Sequence, residues 1–206
     1  MMGEDSVETE RAVESFVRRG YAVSHFDTGA SAALHLNGEI DGVTVGFGDS
    51  ATLLSLGLYD SLAAHNTVFD PAHPGSGGFI GEAEKALTAD VFITSVNAAA
   101  ETGELVNIDG TGNRLAGSLF GHKKVYFVMG VNKLASTLDD AMRRARNTAA
   151  PENAKRLGIK TPCARDGEMC FDCSSPDRIC NAMLIYMRKM DDTEAEIVLI
   201  DEALGY

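Results

Sequence analysis

An α/β fold with a largely parallel central sheet and flanking helices is predicted by three features of the 206-residue sequence. Short runs such as "DVFITSV", "GELVNID" and "KKVYFVMG" are apolar almost throughout, as strands buried on both faces must be. These runs alternate with segments of helical periodicity over most of the chain. Several of them break into polar, glycine-bearing turns, the place where open α/β sheets bind ligands.

The elements follow in order. Ser6 is placed to cap a helix running to about Arg19, with Ala12, Val13, Phe16 and Val17 on one face. Gly20 ends it, and "YAVSHF" reads as a strand. Helix-forming "ASAALHL" leads to "DGVTVGFGDS", a β-branched run that breaks into a glycine turn. "ATLLSLGLYDSLAA" is helical in pattern with an interruption at Gly57. The strand "NTVFD" precedes "PAHPGSGGFIG", a turn-rich segment read as a surface loop, with a mobile lid as the alternative. "GEAEKALTA" is a short helix. Thr137 and Asp140 have capping-box spacing before "LDDAMRRAR", and "PENAKRL" adds a helical turn. "AEIVLIDEAL" supplies the last strand. The expected organisation is one domain over residues 1–206, with a cysteine-rich segment at 161–181 inserted before that last strand.

Eighteen basic residues against 30 acidic ones give a net charge of −12. That balance argues against nucleic acid and anionic membrane as partners, while a few local donors can still hold a small anionic metabolite. No apolar run is long enough to span a bilayer, and the start "MMGEDSVETE" is acidic and polar, so a cytoplasmic location is expected.

Three turns are candidate ligand sites. In "VTVGFGDSATL", Gly46 and Gly48 permit close backbone approach, and Ser50 and Thr52 offer hydroxyl donors at a helix start. The alternative is a self-capped turn, and Asp49 would compete with an anion. The segment lacks the third glycine of a dinucleotide fingerprint and the Gly-Lys-Ser/Thr of a P-loop. In "NIDGTGNRLAG", Asp109, Gly110, Gly112, Asn113 and Arg114 follow a strand, and the Arg114 guanidinium suits a phosphate or carboxylate. The same arginine could instead pair with Asp109 or Glu101. Asn132 and Lys133 follow "YFVMG" as a third strand end. Glu101 is the candidate base or nucleophile, with a solvated turn glutamate as the alternative. Of the five histidines, His73 in the glycine-proline loop is the candidate proton carrier.

All four cysteines fall in "TPCARDGEMCFDCSSPDRIC": Cys163-x6-Cys170-x2-Cys173-x6-Cys180. A reducing compartment favours metal ligation or redox chemistry over structural disulfides. Thiolate-only sets suit an iron–sulfur cluster, with zinc as the alternative, and Lys160, Arg165 and Arg178 would offset their charge. Without metal, Cys170 and Cys173 are candidates for a redox pair.

The motifs "TPCARDGEMCFDCSSPDRICN", "NIDGTGNRLAGSLFGHKKVYFVMGVNKL", "AAPENAKRL" and "DEALGY", taken in sequence, resemble the LUD-domain (lactate-utilisation) family in its stand-alone form. The resemblance covers about residue 43 to the C-terminus. It implies a fold similar to the ribose-phosphate isomerase and CoA-transferase group, and a role beside iron–sulfur subunits in oxidation of lactate to pyruvate. The first expectation is therefore an oxidoreductase component of organic-acid oxidation with a four-cysteine centre. A transferase or isomerase acting on a phosphorylated or CoA-linked metabolite is the second, and a non-catalytic zinc-stapled subunit the third. A homodimer is the default assembly for such a fold.

Overall fold

A computed structural model describes residues 9–166 and 169–206. The Ser6 cap expected at the start of the first helix lies outside these residues. In chain order the helices are α1 (Thr9–Arg18), α2 (Gly29–Glu39), α3 (Ala51–Ser55), α4 (Leu58–Ala63), α5 (Gly78–Ala86), α6 (Asn113–Leu119), α7 (Leu138–Arg144), α8 (Ala150–Arg156) and α9 (Pro162–Asp166). The strands are β1 (Ala22–Phe26), β2 (Thr44–Phe47), β3 (Thr67–Phe69), β4 (Val91–Thr94), β5 (Ala98–Ala100), β6 (Leu105–Asp109), β7 (Lys124–Gly130), β8 (Leu134–Ala135), β9 (Ala182–Tyr186) and β10 (Glu194–Ile200).

The central sheet has the order β1-β10-β7-β4-β2-β3, and every pairing in it is parallel. Side chains alternate across it, so one strand feeds two cores. Val125, Phe127 and Met129 of β7 join Phe16, Phe92, Ile197 and Leu199 on one face. Tyr126 and Val128 join Leu36, Val45, Leu53, Ile93 and Val198 on the other. The near-continuous apolar character of these strands is therefore accounted for by burial on both faces.

The sequence pattern does not disclose a second sheet of four strands, ordered β8-β5-β6-β9. Its β5–β6 pair is an antiparallel hairpin turning through Gly103, which sits at φ 97°. The strand "GELVNID", expected among the buried strands, belongs here as β6. Ala99, Leu105, Leu134 and Tyr186 face the first core, while Ala98, Ala100, Val106 and Ile108 pack with Ala141 and Ala145. β5 is all alanine, a poor strand former, and exists because its neighbours pair with it.

Three boundaries differ from expectation, the first being that α5 begins at Gly78, inside the segment read as a surface loop. Two strands, β9 and β10, follow the cysteine segment, where one was expected. The α7 and α8 segments join through a π-helical turn at Ala145–Ala149 instead of standing apart. Pro151 lacks an N–H and its ring crowds the preceding turn, so the widened turn is the local solution. Gly57 breaks the α3–α4 segment at φ 61°, as the sequence indicates, and Thr137 caps α7 by accepting from the Asp140 amide.

Candidate functional site

Parallel strands bring their C-terminal ends to one edge of the sheet. After β2 the chain moves outward to β3; after β4 it moves the other way, by way of the second sheet, to β7. The connections leaving neighbouring β2 and β4 therefore diverge, and a crevice opens between them, as expected where strand order reverses. A cavity occupies this position, lined among others by Asp49, Ser50, Thr52, Ser95, Asn97 and Lys133.

Lys133 is its central group. The short 3-10 turn after β7 carries the side chain inward, leaving the residue only 3% exposed. Its Nζ donates to Thr52 Oγ1 and to Ser95 Oγ, each at 2.8 Å. Among the described residues no carboxylate lies within ion-pairing distance of it. Burial pushes the amine down to about 7, and the positive charges of Arg144 and Arg114 add to that shift. The two arginines are fixed by backbone oxygens: Arg144 donates to Asn132 O and Asn97 O, and Arg114 to Ile108 O. Arg156 and Tyr206 complete the rim. Asp49 stands beside these cations in a left-handed conformation at φ 46°. Burial raises its carboxyl above the usual range, against the pull of Arg156 and Arg114.

The C-terminal residues pass over this site. Thr52 Oγ1 donates to Leu204 O, the Leu204 amide donates to Asn132 Oδ1, and Asn132 Nδ2 donates to Gly205 O. A side chain at Gly205 would begin 3.3 Å from Lys133 Nζ, so glycine keeps the tail close. The enclosed space is about 30 Å³, enough for little more than a water.

The cysteine segment forms a second polar region, built on loops. All four cysteines are free and half-buried, and all four line one small cavity against Ala150, Pro151 and Ala154. The Asp172 amide donates to Cys170 Sγ at 3.3 Å, with Asp172 itself at φ 46°. Arg178 donates to the carbonyls of Cys173 and Cys180 and to Asp172, tying the two halves of the segment together. Arg146 reaches Cys170 Sγ at 3.9 Å. Burial pushes the Cys180 thiol up, with Arg178 opposing. Among the described residues no three of His, Cys, Asp and Glu are gathered closely enough to hold a metal ion. The donor set nevertheless fits a thiolate-held centre in kind: four sulfurs share one cavity, with two guanidiniums to balance their charge. Outside it, Cys170 and Cys180 also line a cavity of about 690 Å³ with Arg143, Arg146 and Arg178.

The family model of the LUD domain matches residues 9–200. The chain belongs to the LUD-domain family. This is the lactate-utilisation family that the motifs resemble. A solved structure of a DUF162 family protein from Deinococcus radiodurans, determined at 1.70 Å, matches with a TM-score of 0.52 and 13% identity. That match covers 93% of this chain and 94% of the other, and at such identity it speaks to the fold alone. No curated protein matches the chain.

In this LUD domain the three predicted turns only partly meet. Ser50, Thr52, Arg114 and Lys133 line the cavity, and Asn132 anchors the tail above it. Gly46 and Gly48 serve packing: a Cβ would come within 2.4 Å of Ala86 O and 2.5 Å of Thr94 Oγ1, respectively. A Cβ at Gly110 would come within 2.9 Å of the Ile179 backbone, and Gly112 turns the chain at φ 93°. Asp109 caps the start of α6, accepting from the Thr111 and Arg114 amides, with the Arg114 Nε 3.6 Å away. Asn113 opens α6 and does not line the cavity. Glu101, buried at the end of β5, pairs with Arg11 at 3.6 Å and lies outside the cavity. His73 bonds Asp70 at 2.7 Å and stacks on Tyr59. The residues missed by sequence are Ser95, Asn97, Arg144, Asn153, Arg156 and Tyr206. Applying the strand-end rule to "DVFITSVN" points to Ser95 and Asn97; nothing local marks the others. Among the described residues no helix is long and apolar enough to cross a membrane.

Proposed function

We propose that this LUD domain binds a small organic acid over Lys133 and acts in lactate or related organic-acid oxidation. The observation that carries the reading is a buried lysine with two hydroxyl partners, no carboxylate within ion-pairing distance among the described residues, and two arginines nearby, at the point where the strand order reverses. A cation so placed is costly unless it is neutral or meets an anion. A small carboxylate is favoured over a nucleotide or CoA phosphate because the glycines that would cradle a phosphate face neighbouring protein atoms, and because the enclosed space is small.

The redox half of the reading rests on the cysteines. Cys163, Cys170, Cys173 and Cys180 would hold an iron–sulfur cluster, or zinc in the structural alternative. A cluster supplies one-electron transfer. Arg146 and Arg178 balance the thiolates, and other lactate-utilisation subunits are the natural electron partners. The test has two arms. Thermal shift against 2-hydroxy acids, 2-oxo acids, sugar phosphates and CoA esters should show stabilisation by the acids, lost in Lys133→Met. Protein purified without oxygen should contain iron and sulfide; zinc without iron moves the assignment to a structural staple.

A further inference from the structure

Building on an organic acid bound over Lys133, we propose that the Lys133 amine condenses with the carbonyl carbon of a small oxo-carboxylate to form an imine. The buried amine and the nearby guanidiniums ask for different parts of one molecule. Arg114, 17% exposed in its side chain, and Arg156 at the rim suit a carboxylate. An amine held by two hydroxyls, with no carboxylate in ion-pairing distance among the described residues, suits a carbonyl. An oxo group beside or near a carboxylate supplies both.

Lysine is a nucleophile only as the neutral amine, and burial beside other cations is how proteins keep it so. Here the burial is near complete, and Arg144 from α7 and Arg114 from α6 supply the neighbouring charge. Asp49 from the β2–α3 turn and Arg156 from α8 are the remaining charged groups lining the cavity. The step balances without any redox partner. The nitrogen lone pair forms the C–N bond, the carbonyl π pair moves to oxygen, and a proton passes from nitrogen to that oxygen. The carbinolamine then loses one water as the C=N bond forms, and hydrolysis reverses the sequence. Thr52 and Ser95, both buried and in contact with Nζ, are placed to relay the proton and to orient the amine.

The test uses the full-length protein with pyruvate as the probe and sodium borohydride as the trap, followed by peptide mass spectrometry. One reduced pyruvate unit on Lys133, saturable in pyruvate and increasing as pH rises through about 7, is the expected result. It should be lost in Lys133→Met shown by circular dichroism to be folded. The wild-type map locates the adduct even if that variant does not fold. Lactate, which has no carbonyl, separates the two ideas in a thermal-shift assay. If lactate and pyruvate both stabilise the protein but nothing is trapped, the imine is overturned and the acid site stands. If neither stabilises and nothing is trapped, both fall. Labelling spread over surface lysines, without saturation, also overturns the proposal.

Discussion

The Lys133 cavity and the cysteine segment are both polar regions, and they are assembled in opposite ways. Around Lys133 the amine and the Arg114 and Arg144 guanidiniums are held by buried hydroxyls or backbone oxygens, and Arg156 at the edge donates to Asn153 Oδ1. In the cysteine segment the sulfurs hang on loops and a five-residue helix, tied chiefly by Arg178 and a few amides. The first site is organised before any ligand arrives, because the sheet that positions it also forms the core. The second has its donors on one cavity but not drawn together, so a bound centre would complete it. Preorganisation belongs to the region with long-range backbone pairing; in the region without it, binding of a centre would be coupled to ordering.

That contrast can be broken most strongly at Lys133. The folded amine titrates near 7, whereas its ordinary value is 10.5. Between these values the unfolded chain binds the extra proton, so wild-type stability should rise with pH across the window and carry the full penalty below 7. Relative to Lys133→Met, the gain between pH 7 and 10.5 should be on the order of 4 kcal/mol, read by urea denaturation at several pH values. A flat difference would mean that the amine is not held neutral. Next in size, Arg114→Ala should weaken binding of a small carboxylate roughly tenfold to a hundredfold in calorimetry, while the fold persists.

Gly46→Ala tests whether the turn glycine serves packing. Its new methyl group would press on the α5 backbone at Ala86 and cost about 1–3 kcal/mol of stability. If it instead abolished ligand binding at unchanged stability, the glycine would be a ligand contact after all. The smallest effect is expected on the loop side. Cys173→Ser in metal-free protein should change stability by no more than about 0.5 kcal/mol. In anaerobically purified protein the same change should remove most of the iron. A large loss of stability without metal would show that the segment is already a packed unit.

Much of the parallel sheet was legible because its strands are apolar on both faces and its turns carry glycine or a capping hydroxyl. β5 and β9 were not legible: Ala98–Ala100 has little strand preference of its own, and "AMLIY" carries no alternation to mark it. Lys133 was visible as a strand-end residue, yet its sequence neighbours gave no sign that it would be buried. Glu101 is a candidate base in the sequence, following an alanine run, but the β5–β6 hairpin carries it to α1 and Arg11.

From its sequence alone this protein determined its α/β class, its family, its helix cap at Thr137, and the grouping of its four thiols. Those properties depend on period, local hydrogen bonding and spacing, which neighbouring residues settle among themselves. Tertiary structure decided that Lys133 meets Thr52 and Ser95 across gaps of 81 and 38 residues. It also decided that a side chain at Gly46 or Gly48 would meet Ala86 or Thr94. Such meetings depend on strand order in the sheet, and strand order is set by long-range packing that no local pattern encodes.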